Sequence, residues 1–247
     1  MIDLRLGDWA TVLADVGDVD AVITDPPYGR RCHVGHDLMA ESTRNVTGQE
    51  TRRSLQYAYW TPDDVDAFVD AWIPRCKGFF VAMTSHDLIS AYESAYLRHG
   101  RFTFAPVAII QPRFRASGDG PSSDVVYAMV CRPKSRKFFG GWSSRGYYLA
   151  GTEKHGAVAG AKPVQLMRAL VRAYSRSGDV VCDPCAGGAT TLIAAAQEGR
   201  QAVGAELDAT TYAAATARIR RTFIAPPLFD DSPERISPCV LVSCDHP

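Results

Sequence analysis

The sequence carries no surplus of either charge. Its 247 residues hold 27 Lys and Arg against 27 Asp and Glu, so bulk charge alone does not mark it as a nucleic-acid binder. No apolar run approaches the length of a membrane span, and no membrane partner is expected. The start, "MIDLRLGDWA", lacks both a basic stretch and an apolar core, so a secretory leader is not expected either. Seven scattered cysteines offer no paired framework, which fits a reducing, cytoplasmic setting. Cys182 and Cys185 form a C-x-x-C, but no second pair stands at zinc-ligand spacing, and both read as residues at a strand end with no metal. The G-x-G-x-x-G dinucleotide fingerprint and the lysine of a phosphate loop are also missing, which sets aside a nicotinamide oxidoreductase. No internal repeat is present.

What is present is alternation. Apolar, β-branched runs at 19–25, 78–85, 104–111, 123–132, 179–184 and 201–208 read as strands. Between and after them, 62–76, 87–100, 162–178, 189–199 and 209–221 read as helices, the second stopping on Gly100. This order predicts an α/β fold, a mostly parallel twisted sheet with helices on both faces, in one domain over 1–221. Ligands of such sheets bind at the carboxyl ends of the strands. Two stretches stand outside the alternation, a long loop at 29–60 and a basic, aromatic segment at 133–161. Residues 222–247, with five prolines, read as a weakly ordered tail.

Two motifs lie at predicted strand ends. "VITDPPYGRR" (22–31) ends a buried run on Asp-Pro-Pro-Tyr, a rigid corner in which two prolines fix φ and remove two donors. "VVCDPCAGGATTLIAAA" (180–196) runs from strand through small residues into a helix, where glycines let the backbone approach a ligand and the helix start presents unpaired N–H groups. About twenty residues on, "AVGAELD" ends a strand on Glu206, where an acid can accept ribose hydroxyls. Glycine loop and strand-end acid together suggest a nucleoside site.

With "KPVQLMRALV" between them, these elements resemble the amino-methyltransferases that act on exocyclic nitrogens of DNA bases. More narrowly, they resemble the permuted group, the β class, in which the catalytic motif precedes the cofactor motif. The resemblance covers roughly residues 1–28 and 78–221. It implies a Rossmann-like methyltransferase fold, S-adenosylmethionine as cofactor, and methylation of adenine N6 or cytosine N4 in double-stranded DNA. It also implies a site. Asp25, Pro26, Pro27 and Tyr28 match the catalytic tetrapeptide. Asp183, Cys185, Gly187 and Gly188 fall in the cofactor loop, and Glu206 matches the ribose acid. Asp8 in "LRLGDW" matches the acid that faces the cofactor's adenine, and Lys162 and Pro163 match a pair beside its methionine end. The family's Asp-Pro-Phe with Gly-Ser-Gly is altered: Cys185, Gly188 and Ala189 stand at the Phe, Ser and last Gly positions. Phe79 and Phe80 are candidates to replace the lost aromatic. Members often form homodimers, which extends the expectation here.

The chemistry wants such a corner. An exocyclic amine is a poor nucleophile because its lone pair is delocalised into the ring. Asp25 can accept one N–H and the Pro26 carbonyl the other, which favours a pyramidal nitrogen with its lone pair free. Tyr28 would stack on a base taken out of the duplex, and positioning in line with the methyl supplies most of the rate. An aspartate in the first motif position leans toward adenine; cytosine N4, an RNA substrate, and an inactive nucleic-acid-binding module are the alternatives. Arg30, Arg31, Arg44, Arg52 and Arg53 are candidates for phosphate contacts. Lys134, Arg136, Lys137 and Arg145 interleave with Trp142 and other aromatics, which suits unstacked bases or a small subdomain core equally.

Overall fold

The computed structural model describes residues 1–32, 58–111, 124–135, 145–150 and 161–223. Among these residues, nine strands form one sheet with helices on both faces. Five parallel strands make its body, in spatial order β1 (Ile2–Leu6), β9 (Gln201–Glu206), β8 (Val180–Asp183), β2 (Ala21–Thr24) and β3 (Phe80–Thr84). Beyond β3 the direction reverses. β6 (Val125–Pro133) pairs antiparallel with β3, and both β5 (Val107–Ile110) and β4 (Arg101–Thr103) pair antiparallel with β6. The outermost strand, β7 (Tyr147–Leu149), runs parallel to β5.

The apolar runs are buried because both faces of the sheet are covered, as parallel sheets require. Period-2 alternation divides the central strands between two cores. Ala21, Ile23, Val81, Met83, Val181 and Ala202 face one of them. There they pack against α4 (Val164–Tyr174), α5 (Thr190–Gln197) and α6 (Ala209–Phe223) through Leu166, Leu170, Leu192 and Ala215. Val22, Phe80, Ala82, Cys182 and Val203 face the other, against α1 (Trp9–Val12), α2 (Pro62–Trp72) and α3 (Ile89–Arg98). Phe68 and Trp72 of α2 anchor that side, with Trp9 edge-on to Phe68 at 5.2 Å. Local chemistry sets the start of α2: Thr61 and Asp64 form a reciprocal capping box and Pro62 opens the first turn.

The α/β expectation holds, and the structure adds β1, α1, β4 and β7 to the elements read along the chain. The segment 133–161 contributes β7, whose three residues are too short for periodicity to reveal. The helix expected at 162–178 spans only Val164–Tyr174. Pro163, with φ −57° and no N–H, stands as its N-cap, so Lys162 precedes the helix on extended chain.

The connections diverge at one place. From β8 the chain passes through α5 to β9; from β2 it passes through α2 to β3, on the opposite side. The carboxyl ends of β8 and β2 are therefore neighbours at a topological switch point, where open α/β sheets leave a crevice. Gly204 keeps β9 close there. A Cβ at this position would stand 2.5 Å from the Asp183 carbonyl oxygen and 3.2 Å from Leu192. Gly204→Ala is expected to push β9 from β8 and destabilise the fold by about 2 kcal/mol, read as a fall in melting temperature of roughly 4–8 °C in thermal unfolding.

Candidate active site

The Asp-Pro-Pro-Tyr corner leaves the end of β2 at the switch point. Asp25 is half-buried, and both its oxygens are engaged. The Tyr28 hydroxyl donates to Oδ1 at 2.9 Å, and the Lys162 ammonium donates to Oδ2 at 2.5 Å. The same ammonium lies 5.0 Å from the centre of the Tyr28 ring, within cation–π range. The corner's exit is pinned by residues that its motif does not announce. The Gly29 N–H donates to Ser85 Oγ at 2.9 Å, the Arg31 N–H to Asp87 Oδ2 at 3.3 Å, and the Trp60 N–H to the Tyr28 carbonyl at 3.0 Å. Ser85 and Asp87 follow β3, so its end braces the loop that follows β2.

The glycine loop leaves the neighbouring strand end. Asp183 is almost fully buried; its Oδ1 accepts from the Thr24 hydroxyl at 2.7 Å and from the Cys185 N–H at 3.2 Å. One carboxylate thus ties the end of β2 to the start of the loop. Burial pushes the Asp183 carboxyl up to about 6, against the pull of Thr191, Thr24 and the Cys185 N–H. The turn then needs two left-handed residues, Gly187 at φ 50° and Ala189 at φ 58°. Ala189 caps α5 and stands where the resembled family has glycine; a left-handed alanine costs about 1–2 kcal/mol, strain of a kind that concentrates at functional loops. From α6, Arg218 donates to the Gly188 carbonyl and to Thr190 Oγ1, both at 2.8 Å, and braces the loop.

Glu206 closes β9. Burial raises its carboxyl, opposed by the N–H groups of Asp208, at 2.8 Å, and Gly187. Asp8 sits beside it, at the end of β1, whose Leu6 pairs in register with Glu206. Its carboxylate accepts the Ala10 N–H at 2.8 Å as the N-cap of α1. Leu6, in register with Glu206, and Leu207, next to it along the chain, stay 45% and 70% exposed. Cys185 joins the two halves: its sulfur feels Asp183, Glu206 and Asp25, and burial together with those charges pushes its thiol up. It is thereby held as a protonated, weakly polar side chain. Phe79 and Phe80 do not replace the missing aromatic. They lie at the amino end of β3, away from the strand ends that carry the site, where Phe79 packs on Tyr174 and Phe80 on Phe68 and Tyr96.

The basic candidates divide. Arg30 and Arg31 follow the corner directly and are exposed. Lys134 is not brought to them: β6 runs antiparallel to β3, so its carboxyl end, and Lys134 after it, emerge at the edge away from the corner. Arg145 precedes β7, four strands from β2, or ~19 Å at ordinary strand spacing. Arg44, Arg52, Arg53, Arg136, Lys137 and Trp142 lie outside the described residues. Sequence reasoning missed Thr24, Ser85, Asp87, Leu6, Leu207 and Arg218. Leu207, following a strand-end acid, carried a readable signal; the others act across elements distant in the chain.

The raised Asp183 carboxyl carries a pH dependence. It favours the folded state fully below the ordinary value of 3.8, and that contribution is lost as pH climbs to about 6. Unfolding free energy measured by denaturant is expected to contain a component of roughly 3 kcal/mol that falls between those pH values. Asp183→Asn, which keeps an oxygen for Thr24 and Cys185, is expected to flatten that segment of the profile.

Residues 113–217 match the family model of the N6/N4 type described as DNA methylase. YubD of Escherichia coli (strain K12), provisionally named a methylase, is 25% identical over 213 residues, which cover 81% of this chain and 82% of that protein. Among solved structures, the M1.HpyAVI–SAM complex superposes with a TM-score of 0.65 at 18% identity, covering 89% of this chain and 99% of its own. The cytosine-N4-specific PvuII DNA methyltransferase superposes with a TM-score of 0.63 at 14% identity, covering 92% of this chain and 88% of its own. The stretch 113–217, from before β6 into α6, is thus similar to the DNA methylase family model, on a fold that the solved DNA methyltransferases share.

Proposed function

We propose that the chain transfers a methyl group from S-adenosylmethionine to the N6 amine of adenine in double-stranded DNA. The observation that carries this reading is the Asp25–Tyr28 corner beside the glycine loop at one switch point, with the corner earlier in the chain, as in the permuted β class. The donor set fits the cofactor. Glu206 offers a half-buried carboxylate for a ribose diol, Leu6 and Leu207 offer apolar surface for an adenine ring, and the loop 184–188 offers small residues that let a ligand approach near Asp25. When bound, the cofactor supplies an electrophilic sulfonium methyl.

The chain's own residues do the rest. Asp25 and the Pro26 carbonyl accept the two amine hydrogens and free the lone pair, and proline holds that carbonyl's direction. Tyr28 stacks on the extruded base, while Thr24 and Asp183 keep the corner and the loop in fixed register, so that amine and methyl meet in line. Asp25 takes up the proton released once the nitrogen is methylated. Cytosine N4 poses the same amine problem, and the PvuII likeness keeps that base among the outcomes.

The test is transfer of labelled methyl from S-adenosylmethionine to unmethylated duplex DNA, with nucleoside mass spectrometry of the product. N6-methyladenine is expected from the wild type. Asp25→Ala is expected to lower the rate at least about hundredfold, as for removal of a positioned proton acceptor, with cofactor affinity kept. N4-methylcytosine instead would change the base and leave the mechanism. Cofactor binding without product on DNA would redirect the search to RNA, and loss of both would leave a binding module.

A further inference from the structure

The Lys162 ammonium stands where the corner's chemistry calls for another nitrogen. It donates to Asp25 Oδ2 at 2.5 Å and lies 5.0 Å from the centre of the Tyr28 ring. A target base would need both places, the carboxylate for its amine hydrogen and the ring face for stacking. The pair is enclosed, with the Lys162 and Asp25 side chains only 13% and 23% exposed, so amine and ammonium do not fit together. Lys162 lies just before Pro163, outside the helix, and its four-carbon stem can swing without disturbing α4.

We propose that Lys162 is a stand-in for the target amine: it holds Asp25 in its accepting orientation while the corner is empty, and a base arrives by displacing it. The proposal rests on the base-pocket reading above. It makes Lys162 a positioning residue that acts through Asp25, whereas the family resemblance gives it only to the methionine end of the cofactor. Base docking is then an exchange of one nitrogen donor for another, so Asp25 Oδ2 has a donor both before and after. Any base without an amine hydrogen to offer would leave Asp25 Oδ2 without a donor, with only the Tyr28 hydroxyl still on Oδ1, and a half-buried carboxylate oxygen that loses its partner is costly.

The experiment is a titration of deoxyadenosine, and separately deoxycytidine, into protein saturated with S-adenosylhomocysteine, which blocks the cofactor's own nucleoside site. It is run on the wild type, Lys162→Met and Lys162→Arg, with thermal unfolding to confirm that each is folded. Methionine keeps length without a donor, and arginine grips a carboxylate with two parallel bonds. Nucleoside affinity is expected to rise from arginine to lysine to methionine, by about threefold to tenfold per step, where tenfold corresponds to 1.4 kcal/mol. S-adenosylhomocysteine affinity is expected to change much less. A merely structural role would not produce that order.

Equal nucleoside affinities in all three proteins, with S-adenosylhomocysteine weakened in Lys162→Met, would overturn the stand-in and leave Lys162 a cofactor ligand, the base pocket surviving. Binding of S-adenosylhomocysteine but of neither nucleoside by any variant would remove the pocket itself, and the proposed function with it. The same order with deoxycytidine alone would support the stand-in and change the base.

Discussion

One buried hydrogen bond holds the working parts together, from the Thr24 hydroxyl to the Asp183 carboxylate at 2.7 Å. It joins the last residues of two adjacent parallel strands, one leading into the corner and the other into the glycine loop. The bond matters because the sheet diverges there. Each loop departs toward its own side, and without a tie the crevice between them could widen freely. A carboxylate in so dry a place is costly, and the raised Asp183 carboxyl records that cost. The Cys185 N–H shares the same oxygen, so the tie also sets the first turn of the loop.

Around that tie, polar groups are placed so that the chain satisfies itself until ligands arrive. Tyr28 and Lys162 engage the two oxygens of Asp25, and backbone N–H groups engage Glu206. Half-buried carboxylate oxygens need such partners, because an unmatched one is costly. What stays uncovered is apolar, Leu6 and Leu207 beside the ribose acid, and uncovered apolar surface is what a flat aromatic ligand fills. The strained Ala189 belongs to the same economy of shape: a left-handed turn lets the loop fold tightly before α5 begins.

Much of this was legible along the chain. Alternating runs foretold a parallel sheet covered on both faces, because a strand buried on both sides must be apolar throughout. The proline corner and the small-residue loop were readable because rigidity and close approach are local properties of proline and glycine. The departures have local causes too. β7 is too short for periodicity, and α4 starts later than expected because Pro163 caps it with a non-helical ψ of 135° and the residue before a proline is biased away from helix. Phe79 and Phe80, which could have replaced a lost aromatic, lie at the wrong end of β3 for that task.

By itself, the sequence determined most of the longer elements, the two strand-end motifs, their order and the residue types each motif offers, since these follow from backbone preference and burial over a few residues. Tertiary structure alone decided which side chains meet. Lys162 and Asp25 are 137 positions apart, Thr24 and Asp183 159 apart, and no local rule pairs them. The strand order brought β8 beside β2 and so made one site of two motifs. The reversal at β6 carried Lys134 to the far edge, although its neighbours in sequence promised a common basic face. Direction and adjacency in a sheet are set by how helices pack over it, and that packing is a property of the whole chain.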